Sequence, residues 1–546
     1  MAFPPRVSGR ALQALAAFSR TRGGASLLNG VSRRDMRIGA LAAVPASLLG
    51  ETIVDTRPVA GRPPRAVVSA GLASPPAPWS GTSGTLTGAY RSGATTPTQV
   101  VDAAFARARE LAARKPSLGP ILDACADRAR AEAAASTERW RKGAAQGPFD
   151  GVPFLVKEQT SVAGLPARAG SDLSDQAPAT SDATCVARLR AAGAIVLGTT
   201  MMTEYGMTPL GFNPKRTMPR NPHATGYLAG GSSTGSGVAV ATGVVPFALG
   251  ADGGGSIRIP SSLCGVFGIK PTWGRISRAG DVLGGTVGHL GPLASSTFDL
   301  ARVLEVAGGP DPADLQTELA PPRAAGSFVD ALGRGVKGLR IGIVASEWAD
   351  AASDVARAGH AALDVLAKEG AVLVDVRLEL ARHAAAVGYL TITLEALGSQ
   401  IDMYRAGAAF SADLAVTYAA LTPVPATELV RAQRVRSALR LELARAFSDI
   451  DVFALPTTAT TAPAVTDAQF DGGFLDPLAV DAMCRFNFLG NLTGLPALSA
   501  PVGLDPRGLP IGLQFMGDAW DEATVLAIGA HLERVGAATA VRPRVA

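Results

Sequence analysis

The chain has 546 residues, 47% hydrophobic and 18% charged, a globular composition and not a disordered one. Lys and Arg number 51 against 46 Asp and Glu, but seven Arg and one Asp fall in residues 1–50, so the rest is close to neutral. With only 5% aromatics, this charge pattern gives no nucleic-acid footprint. Four cysteines (Cys125, Cys185, Cys264, Cys484) lie far apart without a CxxC pair, and five histidines are scattered without an HExxH pattern. A structural zinc site, a disulfide scaffold and a metalloenzyme are thereby disfavoured.

Ser32-Arg33-Arg34-Asp35-Met36-Arg37 precedes a weakly apolar run, 38–49, broken by Pro45. The run is too short to span a bilayer, which takes about 20 residues. Paired arginines before such a stretch resemble a twin-arginine export signal, read by the export machinery, and imply a periplasmic or secreted protein. The plainer alternative is a disordered basic tail. Residues 51–86, rich in Pro, Gly and Ser, read as a linker, and 87–546 as one catalytic domain.

Regular structure is announced by Thr96-Pro97-Thr98-Gln99: Thr96 as N-cap, Pro97 at the first helical position, Gln99 closing a capping box. Val100, Val101, Ala104, Phe105, Ala108 and Leu111 follow at helical spacing. An Ala-rich helix is expected over 123–142, a strand at 152–156, a helix at 183–192 ended by Gly193, and a strand at 194–197. Residues 308–338 read as a surface connection. The texture returns as strand 339–344, helix 351–369, strand 371–378, helices through 383–447 and strand 452–455. Such alternation predicts an α/β fold, a mixed, mostly parallel sheet covered by helices.

Three segments carry chemistry: GVPFLVKE (151–158), GGSSTGSG (230–237) and GADGGGSIRIP (250–260). A lysine after a strand is ordinarily solvated, and a Gly/Ser stretch is ordinarily a turn. Here both Gly/Ser stretches are interleaved with apolar elements, unlike linkers. Neither is a phosphate cradle: GK[ST] is missing, as is GxGxxG with its acid about 20 residues on. Open amides without a phosphate partner suggest an oxyanion hole. GSSTG (231–235) also fits the nucleophile elbow of α/β-hydrolases, with Ser233 as nucleophile of an esterase. That elbow needs a strand just ahead and a late catalytic histidine. Residues 221–230 are turn-like, however, and His360, His383 and His531 fall in helical patterns.

The lysine segment, the GGSSTGSG loop and ADGGGSIRIPSSLCGVFGIKPTWGRIS (251–277) resemble the amidase signature family. Lys157 precedes Ser232 by 75 residues and Ser232 precedes Ser256 by 24, spacings that agree with that family. NLTGLPA (491–497) and GLPIGLQ (508–514) are similar to its closing segments, so the resemblance runs from about 87 to 540. It implies a triad of Ser256 as nucleophile, Ser232 as a bridging serine in a cis peptide, and Lys157 as base. Gly253, Gly254, Gly255 and Ser256 would form the oxyanion hole. Asp252 and Arg258 would brace the loop, and Ser233 would support it from behind. Two departures stand out: Ala251, where many relatives have Thr, and Gly253 in place of a bulkier residue.

Physical chemistry fits that transfer. A serine is a poor nucleophile until a base takes its proton, and lysine must be neutral to do so. Neutrality near pH 7 needs a fall of about 3 pKa units, which burial among Phe154, Leu155 and Val156 could supply. No metal or organic cofactor is called for, and the expected partner is a small-molecule amide, with esters or carbamates as substitutes. Met202, Tyr205, Met207, Trp273 and Phe486 are candidates for an apolar substrate pocket. Within the family the alternative is the catalytic A chain of a tRNA-dependent amidotransferase, which needs a partner protein. A homodimer is compatible with the sequence, which fixes no oligomeric state.

Overall fold

The computed structural model describes residues 6–50, 57–62, 78–322 and 327–544. Its strands are β1 (Val7–Ser8), β2 (Ile121–Ala124), β3 (Pro153–Lys157), β4 (Ile195–Thr200) and β5 (Phe247–Asp252). There follow β6 (Phe267–Lys270), β7 (His289–Ala294), β8 (Arg340–Ile343) and β9 (Val372–Asp375). The last are β10 (Val452–Pro456), β11 (Phe474–Leu475), β12 (Ala497–Leu504) and β13 (Pro510–Gly517). Eleven of them form one sheet in the order β2-β4-β3-β5-β7-β6-β12-β13-β10-β8-β9, while β1 pairs only with β11.

The sheet is mixed, and its parallel ladders form two blocks, β4-β3-β5 and β10-β8-β9. These are the strands joined by helices, where alternation shows in the sequence. Antiparallel ladders through β7, β6, β12 and β13 join the blocks. Every residue of β3, β5, β6 and β7 is buried, so these strands read as apolar runs without alternation. No helix separates β6 from β7 or β12 from β13, so these four strands escaped a reading based on strand–helix alternation.

Two helices flank the two Gly/Ser loops. Thr234–Ala241 is buried at all eight positions, and its small side chains let it sit between sheet and neighbours. Arg258–Cys264 is also buried throughout and stops at Gly265, which takes the left-handed conformation at φ 69°.

Several boundaries differ from expectation. The capping box at Thr96 and Gln99 opens the helix Pro97–Ala113 as read. The Ala-rich helix starts only at Ala126, because Ile121–Ala124 pairs antiparallel with β4. The domain begins ahead of 87: Thr82 caps a helix Ser83–Ser92, and Ser83 is anchored on buried Asp299. Of the expected linker, 51–56 and 63–77 lie outside the described residues. Its described piece at 57–62 is tied down, with Gly61 and Arg62 donating backbone N–H to Asp518 and Arg62 paired with Asp451 and Asp521. The 308–338 connection is not wholly superficial, since it holds a short helix Ser327–Ala331 with Phe328 in the main core.

Residues 6–50 are not a disordered tail. They carry helices Gly9–Ser19 and Arg22–Asp35 and bury Leu12, Leu28, Ile38, Leu41 and Val44. Among the described residues no helix is long and apolar enough to cross a membrane.

Candidate active site

Lys157 ends β3, and its side chain is 1% exposed. Its Nζ donates to Ser232 Oγ at 2.7 Å and lies 3.4 Å from the Ala251 carbonyl. Burial lowers its pKa to about 7, although the charges of Asp281, Asp252 and Glu158 oppose the fall. A substantial neutral fraction is therefore present at neutral pH. The apolar run Phe154-Leu155-Val156, buried in a central strand, is what carries the amine out of water.

Ser232 follows a cis Gly231–Ser232 peptide in the turn that leads into Thr234–Ala241. Gly231 N–H donates to the Pro209 carbonyl at 2.8 Å. Ser256 comes from the loop after β5. Lys157, Ser232 and Ser256 all line one cavity of about 340 Å³, and Ser256 also opens onto a second of about 140 Å³. Three residues far apart in sequence thus meet at one seam, where the parallel strands β3 and β5 lie side by side.

The loop bearing Ser256 is held by a buried network. Arg258 donates to both carboxylate oxygens of Asp252 at 2.9 Å and to Asn491 Oδ1 at 2.6 Å and Gln514 Oε1 at 3.0 Å. Burial alone would raise the Asp252 pKa, but the Arg258 charge and its hydrogen bonds hold it well below the usual carboxylate range. Asn491 and Gln514 belong to the closing segments, so those motifs fasten the loop that bears Ser256. Asp252 Oδ1 also accepts the Gly255 N–H at 2.7 Å.

That last bond corrects the expected anion site. The Gly255 amide is already engaged, whereas those of Gly253, Gly254 and Ser256 donate to no protein group among the described residues. Gly255 serves the turn instead: its φ is +115°, and a Cβ there would lie 2.6 Å from Ile259 and 2.8 Å from Asn487. A Cβ at Gly253 would meet Ile392 Cδ1 at 2.8 Å, so Ile392 takes up that room.

Ser233 is fully buried and bonded to both backbone groups of Ala251 at 3.2 Å, with its N–H on the Ser256 carbonyl. It pins the loop, and the backbone of Ala251 is held without a threonine hydroxyl. No histidine lines either cavity, and no strand precedes Ser233 within 201–232. The α/β-hydrolase arrangement is not formed.

Of the expected pocket residues, Tyr205 and Met207 do line the larger cavity. Met202, Trp273 and Phe486 do not. Met202 is packed beneath Gly206, Trp273 stands edge-on to His289 with its Nε1 on Gln316, and Phe486 lies in the core. Ile392 and Phe488 are cavity walls that the sequence reading missed. Their helices, Ala384–Arg405 and Phe488–Thr493, reach the site only by packing, and no local pattern marks them. Asp281 was missed as well; it accepts from Gln159 at 2.9 Å near Lys157. Among the described residues no group of three His, Cys, Asp or Glu could hold a metal ion.

Comparison with known proteins fits this geometry. The family model described as Amidase matches residues 99–526. A fatty acid amide hydrolase from Oryza sativa subsp. indica is 34% identical over 455 residues, 82% of this chain and 75% of that protein. The A chain of a glutamyl-tRNA(Gln) amidotransferase from Anaeromyxobacter dehalogenans is 36% identical over 466 residues, 80% of this chain and 92% of that protein. Among solved structures, a bacterial aryl acylamidase superposes with a TM-score of 0.72 at 25% identity, covering 84% of this chain and 96% of that one.

Proposed function

Because the chain belongs to the amidase signature family, hydrolases that cleave amide C–N bonds by Ser/Ser/Lys chemistry, we propose that it hydrolyses amides of uncharged carboxylic acids through an acyl-enzyme on Ser256. The observation that carries this reading is the 2.7 Å contact of the buried Lys157 Nζ with Ser232 Oγ, on the cavity that Ser256 also lines.

Ser256 Oγ attacks the substrate carbonyl carbon. Its proton passes to Ser232 Oγ as the Ser232 proton passes to neutral Lys157 Nζ, since a hydroxyl both donates and accepts. The resulting oxyanion is met by the amides of Gly253, Gly254 and Ser256. The C–N bond then breaks, the relay returns the proton to the leaving nitrogen, and the amine departs. Water adds to the acyl-enzyme by the same relay and releases the acid. Esters and carbamates offer the same carbonyl and are expected as slower or faster alternatives.

The relative among the amidotransferases supports a second reading, ammonia release from glutamine for a partner protein. The cavity beside Ser256 is walled by Leu210, Phe212 and Phe488 and also by Glu204, Asp413 and Asp476, carboxyls that disfavour the carboxylate of glutamine and leave the apolar walls to an uncharged acyl group. The test is a turnover screen over anilides, esters, carbamates and glutamine, with mass spectrometry of the trapped intermediate. An adduct on Ser256, absent from Ser256→Ala together with turnover (a loss of about 10⁴-fold or more), is the expected result. Turnover retained in Ser256→Ala overturns it.

A further inference from the structure

The cavity of about 140 Å³ beside Ser256 has a wall from an unexpected source. Met36, the C-cap of helix Arg22–Asp35, lines it together with Phe488, Phe212, Leu475 and Thr417. The first fifty residues are built in there. Val7 and Ser8 add a strand to Leu475 and Phe474, and Arg6 pairs with Asp476 at 2.9 Å while lying over the Phe474 ring. Asn29 caps the Ala420 carbonyl, Arg33 pairs with Glu428, and Arg431 donates to the carbonyls of Leu41, Ala42 and Val44.

Behind Met36 lies another cavity, of about 100 Å³, mostly apolar but with Ser32 and Asp35 on its wall, between this segment and helix Ala412–Leu421. It is lined by Leu15, Leu28 and Val31 and shares Met36, Thr417, Leu475 and Pro477 with the first. Met36 is thus one of four residues on both walls, and its thioether is the longest flexible side chain among them. Methionine suits such a place, being unbranched, polarizable and free to change rotamer.

Resting on the proposed acyl transfer to Ser256, we infer that Met36 is a specificity-determining partition, and that residues 6–50 are a resident wall of the acyl-binding channel. With Met36 in place the channel ends after a compact apolar group. An apolar cavity of about 150 Å³ holds a benzene ring, so benzoyl or a short branched acyl fits this space of about 140 Å³ against Phe212, Leu414 and Phe488, with Glu204, Asp413 and Asp476 also on its walls. Shortening Met36 joins the two cavities and admits a linear chain that runs under the N-terminal helices. Each further methylene then leaves water, worth about fourfold in kcat/KM.

The experiment uses the full chain, its intact mass measured first, with Met36→Ala, Met36→Trp and the double variant Met36→Ala with Val31→Phe. Turnover is read across p-nitroanilides from acetyl to decanoyl plus benzoyl. In parallel, thermal stabilisation by the matching free acids reads the channel without any chemistry. We expect wild type to favour short acyl groups and benzoyl, Met36→Ala to move the optimum toward longer chains, Met36→Trp to lose benzoyl, and Val31→Phe to cancel the gain by filling the far cavity. Turnover failing in wild type while the acid series still shifts removes the proposed reaction and leaves the wall. Chain-length profiles unchanged in both readouts overturn the wall. So does a mature protein that begins beyond residue 50.

Discussion

Two strands of this sheet each end in a buried lysine. Lys157 closes Phe-Leu-Val-Lys in β3, and Lys270 closes Phe-Gly-Ile-Lys in β6. Both are lost to solvent, and burial pushes both pKa values down, that of Lys157 to about 7 and that of Lys270 well below its usual value. Their partners differ. Lys157 reaches a hydroxyl on a substrate-sized cavity, whereas Lys270 donates to the carbonyls of Leu495 at 2.5 Å and Pro271 at 3.0 Å, and lines neither cavity beside Ser256. A carbonyl cannot pass a proton on; a hydroxyl can. Desolvation favours a neutral lysine, but only a hydroxyl partner would let it serve as the base of the proposed relay.

The contrast can be broken most severely at β3. Lys157→Ala should lower kcat by about 10³-fold or more, the range for loss of a general base, with the circular dichroism spectrum unchanged. Lys270→Met should instead leave the Leu495 and Pro271 carbonyls without a donor, costing about 2 kcal/mol of stability and lowering Tm, while turnover per folded molecule persists. Equal kinetic loss in both variants would dissolve the distinction.

The pH profile sharpens it. Lys157 has a depressed pKa and acts unprotonated, so kcat/KM should rise with pH, about tenfold per unit at first, and level off above about 7. Lys270→Met should keep that limb where it is, and an unmoved limb in a Lys157 variant of residual activity would assign it elsewhere. The smallest effect belongs to Ser233→Ala. It removes a hydroxyl that only bridges the Ala251 backbone, and a loss of about tenfold or less, the worth of one such bond, is expected.

Lys157, Ser232 and Ser256 were legible as residues of one cavity because they sit in short, rigid motifs. A fully buried strand must be apolar, so GVPFLVKE shows where a lysine is carried inward. Close backbone approach demands Gly and Ser, so the two loops show as composition. The network around Asp252 was half legible: the charge pair Asp252–Arg258 is local, while Asn491 and Gln514 join from more than two hundred residues away. The anion site was over-read at Gly255, since a glycine in sequence does not say whether its amide is free. Met36 was visible only as a residue following the paired arginines.

Sequence alone determined the family of this chain, the short motifs that hold Lys157, Ser232 and Ser256, and the α/β alternation that carries them. Those depend on local backbone demands, which a few neighbouring residues express. Tertiary structure decided the antiparallel seam of the sheet, which of two buried lysines meets a hydroxyl, and which distant helices wall the cavities. These are matters of burial and long-range packing, where a residue's surroundings are assembled from parts of the chain that carry no local trace of one another.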